Sequence, residues 1–234
     1  MIFIGRKKLE KFIGFPVYGN RCHFIKFEFP TTWEVSNQAK FLYDTTIGFN
    51  DRIGFKVGIA FPFFSVDRNM NFLPLIELPL IVMDAAMWGR MKLSEASAIK
   101  TVLEIFKIIK QYHGLLTILW HQCTQIMRGG RIYEDLLKFL IEPSAYIANG
   151  LEIAKWWRTR NEFQLSINPT NSQLTIEIKN PLCAENVGLL ISGKQLEVIS
   201  TSSNLKLIEK TPVQCKFLFL TGNVGHISIS TSEL

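Results

Sequence analysis

The hydrophobic pattern of this chain changes near residue 160, and this change constrains the fold more than any other feature. Before it, short apolar runs alternate with segments whose apolar residues recur every three or four positions. After it, apolar and polar residues alternate almost to the end. The first pattern is typical of an α/β sheet or barrel, and the second of antiparallel strands. We therefore predict two domains, residues 1–160 and residues 161–234.

Continuous apolar runs in the first part predict buried parallel strands, because such strands are covered on both faces. The runs are residues 15–18, 41–43, 78–83 and 115–120. Between the last two runs, Ser94 can cap a helix with one apolar stripe, and Gly114 can end this helix in the left-handed conformation. Strand, helix, glycine and strand in this order predict a βαβ unit.

Two more helices are predicted before residue 160. Residues 133–140 have helical spacing and are followed by a stop at Pro143, and Asn149 with Glu152 resembles a capping box that opens the last helix. From Phe163 onward, seven short alternating segments are separated by turn residues. Seven short strands at this spacing predict a small antiparallel β-sandwich.

The formal net charge of +6 raises the question of a nucleic-acid partner. The basic residues are scattered, and no run reaches the density of a basic arm that binds phosphates. A solvated basic surface is the simpler interpretation. We therefore predict no nucleic-acid partner.

The four cysteines indicate neither a zinc ribbon nor a disulfide framework, because none lies in a CxxC pair. Cys22 and Cys123 stand in apolar, strand-like contexts, where a buried free thiol is the usual state. No hydrophobic signal segment opens the sequence, and no uncharged apolar stretch approaches the length of about 18 residues that a membrane helix needs. We expect no transmembrane segment and a reducing, cytoplasmic location.

Common catalytic fingerprints are absent, including GxGxxG, the P-loop, HExxH and GxSxG. Ionisable residues instead stand at the ends of predicted strands, which face the active site in a barrel. In chain order these residues are Arg21, His23, Asp44, Glu77, Asp84 and His121. A carboxylate beside an imidazole is what proton transfer needs, because the carboxylate fixes the tautomer of the ring. Taken singly, a strand-end Asp or His is more commonly a cap or a structural residue.

Several segments of the first part stand in a distinctive serial order. One has a Gly-x-Arg-x-His core at residues 19–23, followed by Pro30 and Trp33. The others are Tyr43-Asp44-Thr45-Thr46-Ile47-Gly48-Phe49, Gly54-Phe55-Lys56-Val57-Gly58, residues 77–84, residues 116–121 and Trp156-Trp157-Arg158-Thr159-Arg160. Together they resemble a subgroup of the polysaccharide-deacetylase-like proteins. The resemblance covers roughly residues 8–160, and the order of the segments carries it.

The resemblance implies a partial (β/α) barrel that uses a divalent metal, usually zinc, to remove acetyl groups from N-acetylated sugars. By this resemblance, Arg21 orients the catalytic-base carboxylate, Asp44 supports the late histidine, and His121 protonates the leaving amine. Three further residues are implied on the substrate side: His23, Leu119 and Trp120. Of these, Leu119 lies near the leucine that walls the family's acetyl pocket.

The metal ligands of the family are missing from this chain. The family's first two motifs supply an Asp base, an Asp ligand and two His ligands, and both motifs precede the segment matched by Arg21. Only twenty residues precede Arg21 here, and they contain no His or Asp. A hydrolytic zinc site needs about three protein ligands, so we expect zinc for the family but no zinc site in this chain alone. A substitute set of His23, Asp44 and His121 is the alternative.

Three functions follow from these observations. The leading prediction is a polysaccharide-deacetylase-like carbohydrate hydrolase, acting on N-acetylated oligo- or polysaccharides but inactive or incomplete in this chain. The second is a non-catalytic carbohydrate-binding or scaffold protein, in which Trp33, Trp88 and Trp120 stack on sugars or pack in the core. The third is an assembly partner, because a half barrel exposes a strand edge and an apolar face that an oligomer would cover.

Overall fold

The structure is a computed structural model that describes residues 2–122, 130–141, 145–169, 173–180, 187–192, 196–211, 213–220 and 224–230. The chain divides into two compact units, Met1–Ala154 and Lys155–Leu234. The predicted free thiol Cys123 and the predicted helix stop Pro143 lie outside the described residues. No helix among the described residues is both long and apolar enough to cross a membrane.

Five α-helices are described up to residue 162, and the last of them runs across the boundary between the units. Their bounds are Ile2–Ile13 (α1), Thr31–Gln38 (α2), Glu95–Gln111 (α3), Gly130–Leu140 (α4) and Gly150–Glu162 (α5). A 3₁₀-helix at His23–Ile25 and a π-helix at Ala86–Arg90 lie between them.

The strands of the first unit form two sheets. Their bounds are Gly19–Asn20 (β1), Tyr43–Asp44 (β2), Phe63–Val66 (β3), Phe72–Glu77 (β4), Val82–Met83 (β5) and Ile118–Leu119 (β6). The larger sheet has the order β1-β2-β4-β3, in which β1, β2 and β4 are parallel and β3 is antiparallel to β4. β5 and β6 form a separate parallel pair. The first part is therefore α/β, and its described residues form no closed barrel.

The strand predicted at residues 78–83 is part of a longer extended run that changes sheets. Leu78 still donates its N–H to the carbonyl of Asp44 on β2. Leu80, after Pro79, likewise donates its N–H to the carbonyl of Ile47, which follows β2 in the chain. The run changes sheets at Ile81, whose N–H donates to the carbonyl of Thr117, and it then pairs as β5 with β6. A single predicted strand was therefore wrong, because an apolar run does not reveal which neighbour each half pairs with.

The predicted βαβ unit is present as β5, α3 and β6. Ser94 caps α3, since its Oγ accepts a hydrogen bond from the Ser97 N–H at 3.3 Å. The prediction that Gly114 ends the helix in the left-handed conformation was wrong, because His113 takes that conformation, with φ of 54°. Gly114 serves a close approach instead: a Cβ there would lie 3.3 Å from the carbonyl oxygen of Ala60.

The first predicted strand is displaced. Pairing with β2 occurs at Gly19–Asn20 rather than at residues 15–18, and Phe15 is 64% exposed. Helix α1 precedes it and was not predicted, and none of its residues is fully buried. Arg6 fixes this helix by donating to the carbonyl oxygens of Ala39 and Lys40, both at 2.6 Å.

The second unit contains seven strands among its described residues, as the alternating pattern predicted. They are Gln164–Pro169 (β7), Gln173–Lys179 (β8), Val187–Ser192 (β9), Glu197–Thr201 (β10), Leu205–Thr211 (β11), Gln214–Phe219 (β12) and Val224–Ser230 (β13). All of their pairings are antiparallel, in two sheets with the orders β10-β13-β8-β7 and β11-β12-β9.

The two sheets of the second unit share one core, as in a β-sandwich. Ile176 and Ile227 point into it from the four-stranded sheet, and Phe217 and Phe219 from the three-stranded sheet. Cys215 is a buried free thiol in the same core. Cys22 in the first unit is also free but only half-buried, so the prediction that it is buried was wrong.

Candidate functional site

Asp84 and His121 form a close pair after the parallel strands β5 and β6. The Oδ1 atom of Asp84 lies 2.6 Å from Nδ1 of the His121 ring, and Oδ2 accepts the His121 backbone N–H at 2.8 Å. Asp84 is fully buried, whereas the His121 side chain is 44% exposed. One buried carboxylate therefore fixes both the backbone and the ring of a histidine that remains accessible.

Aromatic side chains pack next to this pair. Trp120 lies edge-on to Trp88 of the π-helix, with ring centroids 6.4 Å apart, and 5.1 Å from the ring of Tyr133 on α4. Trp120 and Leu119 are partly buried against the core of the first unit. The two predicted substrate-side residues near His121 are thus half in the core and half at the surface.

Asp44 lies in a different cluster, beside a second buried carboxyl group. Its neighbour across the β2–β4 ladder is Glu77, and both side chains are fully buried. Asp44 accepts hydrogen bonds from Asn20 at 2.7 Å, Ser36 at 3.1 Å and the Thr46 N–H at 2.8 Å. The Asp44 carboxylate is therefore engaged by its own surroundings.

The resemblance implied that Asp44 supports His121, but the carboxylate on the His121 ring is Asp84. Asp44 is paired with Glu77, and Asp84 follows Glu77 by seven residues in the same extended segment. An extended run of that length spans up to roughly 23 Å. The support of His121 is therefore placed at Asp84, while a catalytic role for Asp44 stays a prediction.

Glu77 has an unusual environment for an acidic side chain. Its Oε2 accepts the Trp33 indole N–H at 2.8 Å, and its Oε1 accepts the Ile47 N–H at 3.0 Å. Burial, followed by the negative charge of Asp44, raises the pKa of Glu77 to about 8. The hydrogen bonds and Arg21 act in the opposite direction but do not outweigh these causes. Burial and the neighbouring carboxylate therefore both favour the protonated form of Glu77.

Arg21 lies next to the Asp44–Glu77 pair and is held by Thr45. Its Nε donates to the Thr45 carbonyl oxygen at 3.1 Å, and its Nη2 donates to Thr45 Oγ1 at 3.2 Å. Burial lowers the pKa of the guanidinium, and the neighbouring acidic groups of Tyr43, Asp44 and Glu77 oppose that effect. The structure thus groups Arg21 with Asp44 and Glu77, while its role in orienting a catalytic base stays a prediction.

His23 does not join either group. It lies in the 3₁₀-helix, is exposed, and stacks on Phe24 with ring centroids 4.2 Å apart. The alternative metal set of His23, Asp44 and His121 is contradicted, because the described residues contain no group of three or more His, Cys, Asp or Glu side chains placed to hold an ion. The described part of the chain therefore does not fit a zinc site of the hydrolytic type.

Asp84 is the site residue that the sequence predictions missed. It was noted as a strand-end carboxylate, but it was not paired with His121. Only the parallel pairing of β5 with β6, in which Met83 stands opposite Leu119, brings the two side chains together. The sequence did contain a positional indication. Asp84 directly follows one short apolar run and His121 directly follows the next, with one predicted helix between the two runs.

The first unit thus has two separate groups: an Asp84–His121 pair suited to proton transfer, and the buried Asp44–Glu77 pair with the partly buried Arg21 beside it. A carboxylate on Nδ1 orients the imidazole so that Nε2 can exchange a proton with a bound molecule. Comparisons of the chain with protein-family models, with curated proteins and with solved structures give no match.

Proposed function

We propose that this chain is part of a polysaccharide-deacetylase-like carbohydrate hydrolase, in which His121 delivers the proton that the leaving amine needs. The observation that carries the proposal is the contact between the buried Asp84 and the accessible His121 ring. The order of the motif-like segments over residues 8–160 supports the family, and the parallel strands with their intervening helix are compatible with a partial barrel of that type.

The chemistry of N-deacetylation explains why such a pair is useful. Water adds to the acetyl carbonyl, and the tetrahedral intermediate then breaks its C–N bond. The amine is a poor leaving group unless its nitrogen is protonated, so an acid must stand beside it. With Nδ1 of His121 bound to Asp84, the other ring nitrogen, Nε2, is left to donate that proton.

Activation of the attacking water is the part that the described residues do not supply. Zinc would lower the pKa of a bound water in an enzyme of this family, but the described residues offer no ligand set for it. We therefore propose that the chain alone is inactive or incomplete, and that a partner or a further copy would complete the open strand arrangement. No step of the proposal depends on a metal held by this chain.

A binding experiment with a turnover arm tests this function. N-acetylated chito-oligosaccharides are added to the chain while the ring signals of His121 and His23 are followed by NMR, with fully deacetylated oligosaccharides as the matched ligand. We expect the acetylated ligand alone to shift His121, with acetate release at most slight even with added zinc. No shift of His121 by any N-acetylated glycan would contradict the proposal.

A non-catalytic carbohydrate-binding protein is the second candidate. The observation that favours it is the edge-to-face Trp88–Trp120 pair beside His121, in a chain whose described residues offer no metal-ligand set. Aromatic side chains offer apolar faces for sugar rings. The His121→Ala variant separates the two functions: unchanged glycan affinity would favour simple binding, whereas a marked loss would favour the hydrolase proposal.

A further inference from the structure

The buried Asp44–Glu77 pair is connected to one short stretch of backbone. Glu77 Oε1 accepts the N–H of Ile47 at 3.0 Å, and Asp44 Oδ1 accepts the N–H of Thr46 at 2.8 Å. The backbone of residues 45–47 is therefore held by two side chains, Asp44 and Glu77, that have no access to solvent. A change in either carboxyl group therefore acts directly on this segment.

The same segment holds Arg21 on its other side. Both described hydrogen bonds of the guanidinium go to Thr45, one to its carbonyl oxygen and one to its hydroxyl group. The Thr45 N–H in turn donates to the carbonyl of Asn20, the residue before Arg21, at 3.0 Å. The place of Arg21 is thus set by a segment that the carboxyl pair anchors.

Few charged groups surround the pair, and they come from different elements. The neighbours are Tyr43 on β2, Arg21 after β1, Trp33 and Ser36 on α2, and Phe63 opposite Glu77 on β3. Arg21 is the one cation among them. Two buried carboxyl groups and one guanidinium are balanced in charge only when one carboxyl group carries a proton.

Protonation of Glu77 fits the observed bonds. A neutral carboxyl group keeps lone pairs for both of its donors, Trp33 and Ile47, and it removes the repulsion with Asp44. Loss of the proton places a second negative charge in the buried cluster, which repels Asp44 and attracts Arg21. The high pKa of Glu77, about 8, supports this interpretation.

We propose that Glu77 is a positioning residue for Arg21: while the Asp44–Glu77 pair holds one proton, the guanidinium stays on Thr45, and loss of that proton draws it away from Thr45 toward the carboxyl pair. The inference concerns the position of Arg21 and does not depend on the proposed hydrolase function. It applies equally if the chain is a binding protein, because the test measures the contacts of Arg21 within the chain and not activity.

An NMR titration of the full chain from about pH 6 to about pH 9.5 tests the inference. Three signals are followed: the carboxyl carbon of Glu77, the Nε of Arg21 and the amide nitrogen of Ile47. We expect all three to move with one shared midpoint near 8. Movement of the Glu77 signal without movement of Arg21 and Ile47 would overturn the proposal. So would a Glu77 signal that does not move in this range, because a glutamate with the ordinary pKa of 4.5 is already ionised at about pH 6.

Three variants extend the test. Glu77→Gln should remove the shared midpoint from the Arg21 and Ile47 signals, whereas Glu104→Gln, at a 59% exposed side chain on α3, should leave it in place. If Glu77→Gln does not fold, the coincidence of the three wild-type midpoints still decides. Asp44→Asn gives a further check, because removal of its charge should lower the midpoint of Glu77.

Discussion

At the scale of residues, two buried carboxyl groups of the first unit differ in what stands opposite them. Asp84 faces the ring and the backbone N–H of His121, so its lone pairs are directed at a group that can carry a proton. Glu77 faces a second carboxylate, Asp44, so its own charge is disfavoured. A buried carboxyl group therefore orients a histidine ring at Asp84, whereas at Glu77 it favours its own protonated form.

The tautomer of His121 should depend on Asp84. With the carboxylate in place, the neutral ring carries its proton on Nδ1, because that atom must donate to Asp84. In Asp84→Asn, the amide oxygen can accept the His121 backbone N–H while the amide NH₂ group faces Nδ1, so the proton should move to Nε2. Nitrogen NMR of the neutral ring measures this. His23 is the internal control, and an unchanged His121 tautomer would speak against the pairing.

The stability of the chain should fall as Glu77 is forced to ionise. The folded pKa of about 8 lies above the ordinary value of 4.5, so the contribution of Glu77 is fully present below about pH 4.5 and is lost as the pH rises to 8. The expected loss is on the order of a few kcal/mol. Urea unfolding at several pH values, for the wild type and for Glu77→Gln, measures it. Parallel pH profiles for the two proteins would contradict the assignment.

At the scale of elements, the first turn of α5 is a capping box. Asn149 Oδ1 accepts the N–H groups of Leu151 and Glu152, and Glu152 returns a bond to the Asn149 N–H at 2.8 Å. Asn149→Ala should therefore cost about 1 kcal/mol of stability in chemical unfolding. Lys155→Ala, at an exposed position of the same helix, should change stability by less than about 0.5 kcal/mol. Equal effects of the two substitutions would contradict the capping role.

The elements that the sequence predicted correctly have local causes. The Ser94 cap, the Asn149 box and the alternation in the seven strands of the second unit each depend on residues a few positions apart. The site did not follow in the same way. Which carboxylate contacts His121 depends on the pairing of β5 with β6 and on the change of sheets at Ile81, and both are set by tertiary packing rather than by local pattern.

At the scale of the whole molecule, each unit has a core of its own. The first unit has two buried apolar clusters. One includes Val102 and Leu136, and the other includes Trp33, whose indole N–H donates to Glu77. The core of the second unit is built from strand residues such as Phe217 and Ile229. A cavity in one core removes contacts only from that core, so its cost should be confined to one unit.

Phe217→Ala should therefore destabilise the second unit by about 3–5 kcal/mol, because Phe217 is fully buried between the two sheets. Leu190→Ala, at a 55% exposed side chain of the same unit, is the matched control and should cost far less. Urea unfolding followed by NMR gives one signal for each unit: the Ile229 methyl groups for the second and the Trp33 indole N–H for the first. In Phe217→Ala the Ile229 midpoint should fall while the Trp33 midpoint stays. If both midpoints fell together, the two units would unfold as a single cooperative body, and their separate cores would not correspond to separate stabilities.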